Sequence, residues 1–266
     1  MVLRVENLSK RYNGTTALSE VSFEIPDGTF AVVLGESGAG KSTLLRILNG
    51  LTEPTEGDVY IDDEEITNSR SDVGMVFQQH NLVEELSAYS NALTGTLNRT
   101  GFLRSLLNRQ PTDEKELALE ALETVGLLDA AGQTVSSMSG GQQQRVGIAR
   151  ALVQQPELLL ADEPVASLDP SSAETVMAYL RETAKTRELT TLASLHQVNI
   201  AREFGEQFIA LKQGDVVFAG SREELTSDVL ERIYGDIETD ELREETETEA
   251  ASEAIPEADM GIGVES

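Results

Sequence analysis

Residues Gly35-Glu36-Ser37-Gly38-Ala39-Gly40-Lys41-Ser42-Thr43 lie between an apolar run at 29–35 and a Leu/Ile-striped run at 41–51. They fit G-x-x-x-x-G-K-[ST] between an expected strand and an expected helix, which is the setting of a phosphate cradle. The glycines let the backbone curl so that its N–H groups face phosphate oxygens. Lys41 is expected to reach the β- and γ-phosphates of a nucleotide and Ser42 to ligate Mg2+, with Gly35, Ser37, Gly38, Gly40 and Thr43 completing the binding set. A second group, "LLLADEP" at 158–164, carries a strand to Asp162, expected in the Mg2+ shell. Glu163 beside it has the chemistry of a general base for an attacking water. A third group, Ser139-Gly140-Gly141-Gln142, opens what reads as a helix, and free N–H groups at a helix N-terminus attract phosphate. It lies nearly a hundred residues beyond the cradle, with a helical block between them. One chain folding both onto the same nucleotide is unfavourable. A head-to-tail dimer removes the difficulty, because each Ser-Gly-Gly then caps the γ-phosphate held by its partner's cradle.

These groups need elements to position them. Alternating or short apolar runs predict strands at 2–8, 17–25, 29–35, 57–61, 72–77, 157–162, 189–195, 206–213 and 215–220. Helical spacing predicts helices at 41–51, 171–186 and 197–204. Strands alternating with helices indicate a mostly parallel α/β core. From about 87 to 135 the pattern is helical, with segments such as 104–109 and a run that Thr112 is placed to cap. This block, near 79–138, is expected as an inserted subdomain. Residues 236–266 are charge-rich and aromatic-poor, and are expected as a disordered tail.

The 266 residues suffice for one large or two modest domains. The absence of cysteine excludes disulfides and thiolate metal sites, and fits a reducing compartment. "MVLRVENLSK" has charges where a signal peptide would be apolar, and no apolar run approaches the ~18 residues of a membrane span. The expectation is a soluble chain, or one held at a membrane through a partner. Net charge is −27, from 47 acids and 20 bases. The tail contributes twelve acids against Arg243 alone, yet the rest still has 35 acids against 19 bases. A body this acidic argues against broad nucleic-acid binding. Two readings of the excess stay open: adaptation to a salt-rich cytoplasm that screens self-repulsion, or an ordinary acidic protein with an acidic tail.

With "VFQQ" at 76–79, "MSGGQQQR" at 138–145, "SLDP" at 167–170 and His196 in order, residues 2–234 resemble the ATP-binding subunits of ABC transporters. The resemblance implies an α/β P-loop NTPase with a RecA-like core, an N-terminal antiparallel β-subdomain and the inserted helical subdomain, within an ATP-binding domain over 2–235. It implies ATP and Mg2+, and an ATP-sandwich dimer in which Ser139, Gly140, Gly141 and Gln142 contact the partner's ATP. Carried over by position, Tyr12 would stack on adenine, where "KRYNG" alone reads as a turn. Gln78 would touch Mg2+ and the attacking water while sensing the membrane domain. Asp169 would organise the dimer interface, although before Pro170 it also reads as a helix N-cap. His196 would contact the γ-phosphate and hold the catalytic water with Glu163. Met138 stands where many members have Leu, an apolar exchange of little consequence. Implied partners are a second ATP-binding subunit in a homodimer, transmembrane permease subunits and a solute-binding protein, at the cytoplasmic face of the membrane and without nucleic acid.

Within that family, the segments at 81–109 and "SLHQVNIAREF" at 194–204 are similar to the phosphonate-importer branch. Arg99, Arg104 and Arg109 in the first also read as a solvated helix face. The resulting expectation is ATP-driven uptake of phosphonate or a related phosphorus oxyanion. The alternatives are another cargo, such as a polar amino acid, or export. Non-transport ABC ATPases are disfavoured: the interval between cradle and Ser-Gly-Gly cannot hold long coiled coils, and the chain has one cassette. A stand-alone P-loop kinase is disfavoured by the Ser-Gly-Gly group and His196.

Overall fold

A computed structural model of the chain describes residues 2–66, 68, 70–78, 81–97 and 112–235. Gln79, the expected helix at 104–109, Arg99, Arg104, Arg109 and the tail 236–266 lie outside the described residues.

The chain begins with β1 (Leu3–Tyr12) and β2 (Thr15–Ile25), an antiparallel hairpin whose last pair is Tyr12 with Thr15. The two-residue turn, Asn13-Gly14, has φ of 46° and 88°. An Asn-Gly turn of that hand matches the twist of the strands it joins. β3 (Phe30–Leu34) leads through Gly35–Gly40 into α1 (Lys41–Leu48). β4 (Glu56–Ile61) and β5 (Glu64–Glu65) return to the hairpin, giving an antiparallel sheet in the order β2-β1-β4-β5.

β6 (Val73–Val76) opens the second half of the main sheet. Then come α2 (Ala88–Leu93), α3 (Thr112–Thr124) and α4 (Gly140–Val153), which pack on one another. Thr112, expected as a cap, is the first helical residue of α3. β7 (Leu158–Asp162), α5 (Pro170–Thr186), β8 (Thr190–Ser194), α6 (Val198–Phe204), β9 (Gln207–Lys212), β10 (Asp215–Ser221) and α7 (Ser227–Tyr234) complete the chain as described. The six-stranded sheet runs β10-β9-β3-β8-β7-β6; all its pairs are parallel except the β9–β10 hairpin. Among the described residues no helix is long and apolar enough to cross a membrane.

The continuous apolar runs of the sequence follow from burial on both faces. In β3, Phe30, Val32 and Leu34 face a core shared with α4, α5 and α6, while Ala31 and Val33 face a second core shared with α1 and the antiparallel sheet. β7 divides the same way: Leu159 and Ala161 on one side, Leu158 and Leu160 on the other. Parallel order also aligns the carboxyl ends of β3, β7 and β8 along one edge, where α/β sheets bind ligands. The groups singled out at 35–43 and 162–163, and His196, all lie at or just beyond those ends.

Candidate functional site

The loop after β3 requires glycine at two points. Gly35 has φ +145°, and a Cβ there would lie 2.3 Å from the Leu211 carbonyl oxygen. Gly40 has φ +109°, and its Cβ would lie 2.6 Å from the carbonyl oxygen of Ala17 on β2. Ser37 and Gly38 form the exposed tip of this loop. Lys41, only 4% exposed, turns its ammonium back to donate to the carbonyls of Gly35 at 2.7 Å and Glu36 at 3.0 Å. Burial pushes its pKa below the ordinary lysine range, opposed by the carboxylates of Glu163 and Asp162. Ser42 and Thr43, both half-buried, follow in the first turn of α1.

Across the edge, β7 ends at Asp162, beside Ser194 at the end of β8; the two are register partners. Asp162 Oδ1 accepts from Ser42 Oγ at 2.9 Å and from Ser194 Oγ at 3.0 Å. Ser194 Oγ in turn accepts the N–H of Glu163 at 2.9 Å. That bond anchors a strained residue, since Glu163 adopts φ +47°. Its carboxylate Oε1 pairs with His196 Nε2 and lies 3.8 Å from Lys41 Nζ. Lys41 Nζ is also 3.4 Å from His196 Nδ1. It is 3.3 Å from His196 Nε2 as well, so the ammonium lies against the imidazole rather than at one nitrogen. Lys41, Glu163 and His196 therefore close a triangle, with the Ser42–Asp162 pair against it. Ser194 is absent from the residues singled out by motif. Its signal is positional: it stands two residues before His196, at the end of the strand that pairs with β7.

Ser42 Oγ and the Asp162 carboxylate are two adjacent oxygen donors. Among the described residues no group of three or more His, Cys, Asp or Glu could hold a metal. Two protein oxygens suit Mg2+, which keeps waters and substrate phosphates for the rest of its shell.

A second group forms elsewhere on the molecule. Ser139 caps α4: its Oγ accepts the Gln142 N–H at 3.3 Å, and Gln142 Oε1 accepts the Ser139 N–H at 3.0 Å. This capping box leaves the N–H groups of Gly140 and Gly141 without an intrahelical acceptor. A Cβ on Gly140 would meet Leu168 and one on Gly141 would meet Ser172, each at 3.3 Å. Asp169 caps α5 before Pro170, accepting from the Ser172 N–H at 3.1 Å, and the hydroxyl and N–H of Ser172 together hold its carboxyl below the usual range. Ser139–Gln142 and Asp169 thus share one surface, and no hydrogen bond among the described residues joins them to the cradle. At its other end α4 is tied down by Arg150, whose Nη1 donates to the Asn81 carbonyl at 2.6 Å. Gln78, exposed, stands just after β6 and three residues before Asn81. Tyr12, 44% exposed, sits at the hairpin tip with the Lys10 ammonium 4.9 Å from its ring centroid, on the hairpin whose Ala17 touches Gly40.

The family described as ABC transporter matches residues 18–166, which contain the cradle, Gln78, Ser139–Gln142 and the Asp162–Glu163 pair. The chain belongs to the ABC transporter family. Within that family it is 64% identical over 241 residues to the phosphonates import ATP-binding protein PhnC of Halobacterium salinarum, covering 91% of this chain and 86% of the relative. To the protein of the same name from Thiobacillus denitrificans it is 48% identical over 238 residues, covering 87% and 92%. Both names belong to the branch that the segments at 81–109 and 194–204 resemble. Among solved ABC structures, a dimeric, post-hydrolysis state of the ATP-binding cassette MJ0796 bound to ADP and Pi has a TM-score of 0.71 at 35% identity, covering 83% of this chain and 98% of that one. A nucleotide-free ATP-binding cassette from an ABC transporter has a TM-score of 0.77 at 26% identity, covering 91% and 98%. The α/β P-loop core, antiparallel sheet and helical part agree with the fold expected from the motifs.

Proposed function

We propose that this chain is the ATP-hydrolysing subunit of an importer for phosphonate or a related phosphorus oxyanion. The observation that carries the reading is the Lys41–Glu163–His196 triangle against the Ser42–Asp162 pair, in a chain 64% identical to a phosphonates import ATP-binding protein. The backbone of 35–40 and the Lys41 ammonium bind the phosphates of ATP, with Tyr12 offering a ring face to adenine. Mg2+, when bound, would be held by Ser42 and Asp162, with Gln78 as a further oxygen donor, and would neutralise charge on the β- and γ-phosphates. Glu163 accepts the proton of a water that attacks the γ-phosphorus as the bond to ADP breaks, and His196 holds the carboxylate in place.

A second copy of the chain, head to tail, supplies the free N–H groups of Gly140 and Gly141 to the γ-phosphate. Asp169, on the same surface, lies at the contact between copies. Closure of this pair drives transmembrane permease subunits, fed by a solute-binding protein, with the chain peripheral on the cytoplasmic face. ATP shifts that equilibrium only as far as it binds the closed pair more tightly than the open one.

The cargo is tested by deleting the chain and measuring growth on a phosphonate as sole phosphorus source. Loss of growth, restored by the wild-type chain but not by Glu163→Gln, is the expected result; normal growth overturns the cargo. The placement of Glu163 is tested through Ser194. Ser194→Ala removes the acceptor of the Glu163 N–H and one donor to Asp162. It is expected to lower kcat about tenfold, the equivalent of the one of these two bonds that orients Glu163, with KM for ATP within about twofold. Steady-state kinetics showing unchanged kcat would sink that role.

A further inference from the structure

The N–H of Gly35, the first residue of the cradle, donates to the hydroxyl oxygen of Tyr234 across 3.3 Å of buried space. The two residues are 199 positions apart. Tyr234 is the last residue of α7 and lies outside the span 18–166 that matches the family. The β3–β8 ladder ends at Val33 opposite Ser194 and the β3–β9 ladder at Leu34 opposite Ala210, so the next N–H of the chain needs an acceptor from elsewhere. Tyr234 supplies it. The Gly35 carbonyl is engaged too, by the Lys41 ammonium at 2.7 Å. Leu211 crowds the same residue from the side, leaving no room for a Cβ. Gly35 is therefore held on three sides before the loop reaches its exposed tip.

The element that carries Tyr234 is itself fixed. Val229, Leu230, Ile233 and Tyr234 bury one face of α7 in the core that includes Phe208 and Ala210 of β9. Lys212, next to Leu211, donates its ammonium to the Arg232 carbonyl of α7 at 2.7 Å. Helix, strand and loop are thus joined on both sides of Gly35.

We propose that Tyr234 is a positioning residue of the phosphate cradle, through which the C-terminal helix sets the orientation of the first cradle peptide. This rests on the reading of residues 35–43 as the ATP site. Its chemistry is that of a neutral hydroxyl acceptor. It keeps the Gly35 N–H satisfied and turned away from the ligand, and so fixes the direction in which the following N–H groups leave the strand. A phenyl ring in its place keeps the apolar packing of α7 and removes the hydroxyl that accepts from Gly35.

The test uses the full chain, with ATP and Mg2+ as probe. Tyr234→Phe is expected to raise the Kd for ATP about tenfold, to leave kcat at saturation within about twofold, and to speed exchange of the Gly35 amide hydrogen at least tenfold. A folded variant with unchanged Kd and unchanged Gly35 exchange overturns the proposal, as does a lowered melting temperature with unchanged Kd, which marks packing alone. The unsubstituted chain gives a second reading: the Gly35 amide should exchange at least tenfold more slowly than those of Ser37 and Gly38, and equal rates overturn the proposal. Lys41→Ala separates the two levels. Lost ATP binding in Lys41→Ala with normal binding in Tyr234→Phe removes only the Tyr234 role. Normal binding in both removes the cradle reading, and the Tyr234 role with it.

Discussion

Glu163→Gln is expected to lower ATP turnover by about 10²-fold or more, the range lost with a general base. The exchange is nearly isosteric. The amide can still meet His196 and occupy the same space at the end of β7, and the Ser194 bond to the 163 N–H is untouched. What disappears is a carboxylate able to take a proton. ATP affinity should survive, because the proposed site gives the phosphates to the 35–43 loop and Lys41, not to Glu163. The variant should therefore hold ATP and accumulate as the closed pair of chains. Turnover is read by phosphate release, and association by size-exclusion chromatography with ATP and Mg2+. Near-normal turnover would remove Glu163 from the chemistry, and slow turnover without an ATP-dependent dimer would remove the head-to-tail arrangement.

Lys41→Ala should act one step earlier, on binding. Its ammonium is almost wholly buried and makes two hydrogen bonds to the carbonyls of its own loop. Truncation removes the cation proposed to face the phosphates and the brace that keeps Gly35 and Glu36 in place. It also leaves Glu163 with His196 as its remaining close partner in the triangle. Losing one side of a buried charged contact costs about 2–5 kcal/mol, so ATP affinity is expected to fall at least thirtyfold. Equilibrium binding of ATP measures this directly. Unchanged affinity would mean that the loop at 35–43 is not the phosphate site.

The two substitutions fall on residues that differ in how they can be read. The cradle is legible in sequence because its residues are contiguous and bounded by an apolar strand and a striped helix. The strand-end acids are legible because four apolar residues lead into them. Ser194 and Tyr234 carry no local pattern; each acquires its partner only when β8 lies beside β7, or when α7 folds onto β9. The hairpin shows another limit. Alternation predicts a first strand at 2–8, but β1 continues to Tyr12. Asn7, with φ 47°, accompanies a register shift between Val5 and Leu8, and Glu20, with φ 48°, one between Leu8 and Lys10; such a bulge moves later side chains to the opposite face. The period-2 signal stops there although the strand does not. β5 is two exposed acids long, too short to bear any pattern, and is present only because Tyr60 and Ile61 pair with it. α7 did have a signal, with apolar residues at helical spacing in 227–234, beside the acid-rich composition that follows.

Helix α4 joins two regions that the motifs treat separately. Its first turn presents the Gly140 and Gly141 amides, while Arg150 near its last turn grips the carbonyl of Asn81, three positions after Gln78. Fourteen helical residues span ~21 Å, and a helix of that length bends little. Motion at either end must then appear at the other as a tilt of one stiff rod. Mechanically α4 is a lever: a displacement at Asn81 is read out as a change of aim at the Gly140–Gly141 tip, and a force on that tip returns to Asn81.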